Sequence, residues 1–75
     1  MNKDILKGKW KQLRGRVREQ WGELTNDEID QIAGKRDQLI GTIQEKYSYT
    51  RAKAEQEVND FLENTEFDFD QVKQN

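Results

Sequence analysis

The chain has 75 residues, of which 32% are hydrophobic and 37% are charged, and its formal net charge is −2. This length allows one small domain with a thin core, so we expect marginal stability. The absence of Cys and His excludes disulfides, thiolate chemistry and the histidine ligands and proton shuttles on which many metal sites and enzymes depend.

The first predicted element is an amphipathic helix over residues 4–20. Its apolar residues recur at helical spacing and therefore share one side of the helix, as Leu6, Trp10, Leu13, Val17 and Trp21. The two tryptophans have two interpretations, as core residues or as platforms on which nucleic-acid bases stack. We favour the core, because a small domain needs their large apolar surface.

Five basic residues form a second line along this helix, spaced by four, four, three and four residues. We call them the basic ridge: Lys3, Lys7, Lys11, Arg14 and Arg18. Residues 1–18 carry a net charge of +6 and the remainder −8. The ridge is a candidate site for an anion, nucleic acid foremost, or a solvated surface that also attracts the acidic half of the chain. An acidic isoelectric point near 5.1 favours the second interpretation.

A second helix is predicted over residues 26–33. Thr25 and Glu28 match a capping box, in which each side chain bonds to the backbone N–H of the other residue. The acids Asp27, Glu28 and Asp30 suit the positive end of this helix better than a metal site. Gly34 is then expected to end or bend the helix.

The third and fourth helices are predicted over residues 35–47 and 51–63. Leu39, Ile43 and Tyr47 share one side of the third helix, and either Ser48 or Thr50 is expected to cap the fourth. The apolar side of the fourth helix consists of Ala54, Val58, Phe61 and Leu62. We predict one domain over residues 1–63, followed by a loose acidic tail over residues 64–75.

The chain contains an internal repeat. Residues 8–21 align without a gap on residues 34–47, and six of the fourteen positions are identical. The repeat predicts two copies of one helical unit, packed on each other as two helical hairpins. It also keeps glycines seven residues apart, of which Gly15 and Gly41 fall in the middle of predicted helices, opposite the apolar side. These two glycines are either exposed and costly, or provide bare backbone for a close neighbour.

The repeat motifs GKWKQLRGRVREQWGELT and GKRDQLIGTIQEKY, followed by AEQEVNDF in the last helix, closely resemble the CsbD-like family of small bacterial stress-response proteins. The resemblance covers residues 8–62. It implies a compact all-α fold in which four short helices form two crossed hairpins, and it implies an association with general stress responses. It provides no catalytic residue, cofactor or metal ligand to carry over.

We therefore expect a non-enzymatic bacterial protein with a protective or protein-interaction role, no cofactor and no metal. We expect it to be cytoplasmic, because its first residues lack the apolar run of a signal peptide and no 18 consecutive residues are apolar. We also expect a monomer. Partners are unknown, with a protein partner more plausible than nucleic acid and no membrane contact expected. The alternative is a weak anion-binding or nucleic-acid-binding module that uses the basic ridge.

Overall fold

The computed structural model describes the backbone of residues 6–74 and the side chains of residues 6–64. Within this range the secondary structure is helical, with turns and no strands. Residues 6–8 are helical, and four longer helices follow, α1 (Trp10–Gln20), α2 (Asn26–Ile32), α3 (Arg36–Tyr47) and α4 (Arg51–Gln74). The predicted all-α fold in one small domain is confirmed. None of the described helices is long and apolar enough to cross a membrane.

The prediction of one unbroken first helix is wrong at Lys9. This residue has φ −109° and ψ 18° and precedes α1 without a side-chain capping bond. The interruption lies where the backbone of Gly34 packs closely, since a Cβ added there would stand 2.8 Å from Cα of Lys7 and 3.3 Å from Cβ of Trp10. A contact between distant segments therefore accompanies the break, which also directly follows Gly8, a residue that weakens helices.

The two copies of the repeat form equivalent helices. Lys9 precedes α1 and Lys35 precedes α3, at positions that the repeat aligns. The repeated apolar pairs are also buried in both copies, namely Leu13 with Leu39 and Val17 with Ile43. The sequence repeat is thus a structural repeat of a helix with its preceding turn.

The capping box predicted at the start of α2 is confirmed. The backbone N–H of Glu28 donates to Oγ1 of Thr25 over 3.1 Å, and the backbone N–H of Thr25 donates to Oε1 of Glu28 over 2.9 Å. The helix ends at Ala33 with φ 51°, followed by Gly34 with φ 79°. Gly34 therefore stands at a helix end, as predicted, although the first left-handed residue is an alanine.

Thr50, not Ser48, caps α4. The backbone N–H of Lys53 donates to Oγ1 of Thr50 over 3.1 Å, whereas Ser48 ends α3 with φ 57°. The helix ends at Gln74, so the predicted end at residue 63 is wrong. No Gly or Pro follows Arg51 to end the helix earlier. The division into a domain over 1–63 and a loose tail over 64–75 stays a prediction, because the side chains of residues 65–75 lie outside the described part.

One cluster of buried apolar side chains joins all the helices. Both tryptophans belong to it, as predicted, with Trp10 8% exposed and Trp21 2% exposed. The ring centroids of Trp21 and Phe61 are 5.1 Å apart, which joins the end of α1 to α4. The cluster consists of Leu6, Trp10, Leu13, Val17, Trp21, Leu24, Ile29, Ile32, Leu39, Ile40, Ile43, Ala54, Val58, Phe61 and Leu62.

Candidate functional site

The basic ridge is interrupted in the structure. Lys3 lies outside the described residues, and Lys7 belongs to the short helical segment before the break at Lys9. The remaining three members, Lys11, Arg14 and Arg18, are on α1. The regular spacing along one continuous helix, which motivated the ridge as a site, is therefore not preserved.

Two members of the basic ridge bind helix α2. A guanidinium nitrogen of Arg14 forms an ion pair with the carboxylate of Asp30, and Nη1 of Arg18 donates to Oδ1 of Asn26 over 2.6 Å. Both contacts lie at the surface, where a single ion pair contributes little to stability. They nonetheless orient the two arginines toward the acidic half of the same chain. This arrangement matches the interpretation of the ridge as an internal attraction.

The other two described members, Lys7 and Lys11, are exposed and form no ion pair with any described residue. The neighbouring glycines have free space around them, since a Cβ added at Gly8 or Gly15 would meet no atom within 4 Å. We call this surface the lysine face (Lys7, Gly8, Lys11 and Gly15). It is the part of the predicted site that stays available to an anionic group.

The acids at the start of α2 are used within the fold. Bonding to the backbone N–H of Thr25 lowers the pKa of Glu28, and the ammonium of Lys46 lowers it further. Nζ of Lys46 lies 2.9 Å from Oε2 of Glu28, and this bond raises the pKa of Lys46. Glu28 thus joins the cap of α2 to the end of α3. Among the described residues, no three of the acids come together as ligands for a metal ion.

A groove between α1 and α4 is a feature that the sequence did not reveal. It has a volume of about 300 Å³ and carries three carboxylates, those of Glu19, Glu57 and Asp60, beside the nearly buried ring of Phe61. We call it the acidic groove; its remaining lining residues are Arg16, Gln20 and Asn64. It forms only when α1 packs on α4, so no spacing within one helix signals it.

Comparison with known proteins gives a consistent result. The family model described as CsbD-like matches residues 4–56. The UPF0337 protein YjbJ of Escherichia coli (strain K12) is 54% identical over 67 residues, which are 89% of this chain and 97% of that relative. YjbJ of Salmonella typhimurium is 56% identical over 61 residues, 81% of this chain and 87% of the relative. The UPF0337 protein PA4738 of Pseudomonas aeruginosa is 49% identical over 61 residues, 81% of this chain and 94% of the relative.

Proposed function

The chain belongs to the CsbD-like family, and from this membership we propose that it is a non-enzymatic protein that protects other proteins, or binds them loosely, under stress. The family is associated with general stress responses in bacteria, and its small proteins are not known enzymes. The proposal includes a cytoplasmic location, which cell fractionation with detection of the protein tests.

The observation that carries the proposal is the nature of the exposed surface. Among residues 6–64, the exposed members of the hydrophobic class are two alanines, Ala33 and Ala52, and every larger apolar side chain is buried or half-buried. Over these described residues the surface has no apolar patch with which to hold an unfolded client. It is charged and hydrated, and the mean hydropathy of −1.23 agrees with this.

The proposed mechanism follows from this surface. A small hydrated particle that accumulates between partly unfolded proteins separates their apolar segments and slows their aggregation. Such an effect depends on the amount of the protein and not on a defined ligand pocket. It also changes little with ionic strength, because no cluster of counterions has to be released on contact.

A heat-aggregation assay tests the proposal. A heat-labile enzyme is warmed with this protein in excess, and light scattering reports its aggregation at low and at high salt. We expect aggregation to slow in proportion to the added protein, and to slow similarly at both salt concentrations. Because the proposed effect needs no ligand pocket, an inert hydrophilic protein of matched size and net charge should protect to a similar extent and serves as the reference. Aggregation that does not slow with added protein, or that slows only at low salt, would overturn the proposal.

A second candidate function is weak binding of an anion such as nucleic acid. The specific observation in its favour is the lysine face, where Lys7 and Lys11 are exposed without an ion-pair partner among the described residues. The contacts of Arg14 with Asp30 and of Arg18 with Asn26 count against it, because a phosphate would have to compete with them. With two open lysines, binding should be weak and non-specific.

A further inference from the structure

We propose that the lysine face of one molecule docks into the acidic groove of a second copy of this chain. The proposal goes beyond the protective function and does not depend on it. Two observations define the two surfaces. Lys7 and Lys11 are exposed cations without an ion pair to a described residue, and the acidic groove presents the carboxylates of Glu19, Glu57 and Asp60.

The lysine face spans the break at Lys9, with Lys7 and Gly8 before it and Lys11 and Gly15 in α1. A Cβ added at Gly8 or Gly15 would meet no atom within 4 Å, so no described part of the same chain packs directly on either glycine. The two glycines have no side chain beside the lysines, which allows a neighbouring backbone to approach closely. The face therefore has both the charge and the space to receive an acidic partner.

The acidic groove has the complementary charge. Glu19 and Asp60 are exposed at its rim, whereas Glu57 is half-buried and already accepts a hydrogen bond from Nε1 of Trp21. The rim carboxylates are the groups that a lysine ammonium can reach without displacing an internal contact. The ring of Phe61, 8% exposed, lies beneath the groove and belongs to the core.

The two surfaces lie mostly on different sides of α1. At 100° per residue, the groove-lining Arg16 and Gln20 lie about 140° and 180° around α1 from Lys11, whereas Glu19 at the rim lies about 80° from Lys11 and about two turns further along the helix. No ion pair among the described residues joins Lys7 or Lys11 to Glu19 or Asp60. In the proposed contact the two surfaces therefore belong to separate molecules, and the contact is head-to-tail because the lysine face of one molecule meets the groove of the next.

Charge complementarity selects a second copy as the occupant. The chain as a whole carries only −2, while its first 18 residues carry +6 and the remainder −8, so two copies attract in one orientation with little overall repulsion. The contact consists of exposed ion pairs and is weak and sensitive to salt. Dilute protein at physiological ionic strength is then monomeric, and short head-to-tail chains form at high concentration and low salt.

Sedimentation equilibrium of the full chain tests the proposal, at about 0.02 M and about 0.5 M salt, where screening differs strongly. The doubly substituted Lys7→Gln/Lys11→Gln removes the lysine face, and Glu19→Gln/Asp60→Gln removes the rim of the groove. We expect wild type to exceed the monomer mass at low salt and to return to it at high salt. Each variant alone should remain a monomer, and their equimolar mixture should form dimers and nothing larger.

The control variant is Lys35→Gln/Arg51→Gln, which removes two exposed cations from other parts of the surface. It should associate as wild type does. Wild type that stays monomeric at low salt, a mixture that stays monomeric, or a control that loses association equally would each overturn the proposal. Circular dichroism confirms that each variant keeps its helices. Because the experiment contains no client protein, its outcome is independent of the protective function.

Discussion

The indole N–H of Trp21 donates a hydrogen bond to Oε1 of Glu57 over 3.1 Å. The same indole packs on Phe61 one turn further along α4, with ring centroids 5.1 Å apart. Trp21 therefore joins the end of α1 to α4 both by an apolar contact and by a polar one. Trp10 differs, since its buried Nε1 has no hydrogen-bond partner among the described residues.

Replacing either tryptophan by alanine should unfold much of the protein. Trp10→Ala and Trp21→Ala each remove a nearly buried side chain, for which the expected loss is about 3–5 kcal/mol of unfolding free energy. A small domain has a total stability of about 5–15 kcal/mol, so the loss is a large part of it. Urea denaturation followed by circular dichroism measures the effect. Native tryptophan emission already at the wavelength of water-exposed indole would contradict the burial itself.

The conservative replacements should separate the two tryptophans. Trp21→Phe loses the bond to Glu57, whereas Trp10→Phe removes a buried N–H that has no described partner. Leaving such a group unpaired costs about 1–3 kcal/mol, so its removal offsets part of the lost packing. We expect Trp10→Phe to be the more stable variant in urea denaturation. The reverse order would mean that the Trp10 indole N–H is satisfied.

Three glycine-to-alanine replacements should change the unfolding free energy in different directions. Gly15→Ala and Gly41→Ala should each raise the unfolding free energy by about 0.5–1 kcal/mol, because both lie within helices and a Cβ there meets no neighbour. Gly34→Ala should lower it by more than about 1 kcal/mol, because φ is +79° and the new Cβ would stand 2.8 Å from Cα of Lys7. Thermal unfolding of the three variants side by side measures the contrast. Destabilisation by Gly15→Ala would show that a close neighbour covers α1.

The end of α3 offers a further stability test. Ser48 has φ 57°, a left-handed conformation that costs a residue with a Cβ roughly 1 kcal/mol or more and costs glycine nothing comparable. Ser48→Gly should therefore stabilise the protein by up to about 1 kcal/mol. Ser48→Val is the matched control and should destabilise it, since a β-branched residue tolerates this conformation poorly. Similar denaturation midpoints for the two variants would contradict the assigned conformation.

Stability should also depend on the ionisation of Glu28. Its pKa lies below the ordinary value of 4.5, chiefly because the backbone N–H of Thr25 donates to the ionised carboxylate, with a further contribution from Lys46. A carboxyl group with a lowered pKa in the folded state stabilises the fold above the ordinary pKa, and this contribution is lost as pH falls through the folded pKa. Glu28→Gln keeps the shape of the cap without the charge. The stability difference between wild type and Glu28→Gln should therefore shrink below about pH 4.5.

Denaturant titrations of both proteins between neutral and acidic pH measure this difference. At alkaline pH stability depends on pH in the opposite direction, because the bond to Glu28 raises the pKa of Lys46 above 10.5. That contribution is complete below pH 10.5 and is lost as pH rises through the folded pKa. A constant difference across the acidic range would show that Glu28 does not ionise differently in the folded protein.

Patterns within single helices predicted much of the fold. The features that were not predicted depend on contacts between residues that are distant in the sequence. The capping box of Thr25 with Glu28 and the burial of Trp21 follow from patterns within a few residues of each other. The break at Lys9 follows Gly8, which the repeat aligns with Gly34, but it also accompanies the approach of Gly34 from another part of the chain, a contact that no local pattern encodes. For the same reason the sequence could align Arg14 with the other basic residues but could not assign Asp30 as its partner.

We infer that the charged surface serves the fold and its hydration and does not hold one particular anion. Titration of the protein with duplex DNA and with single-stranded RNA, at several salt concentrations, is the sharpest test of this inference. At about 0.15 M salt we predict a dissociation constant no tighter than about 10⁻⁴ M, and a slope of log affinity against log salt of no more than about 2, because only two lysines of the described part of the basic ridge lack an internal ion pair. A micromolar complex with a slope near 4 or 5, abolished by Lys7→Glu with Arg14→Glu while helicity is kept, would contradict the account.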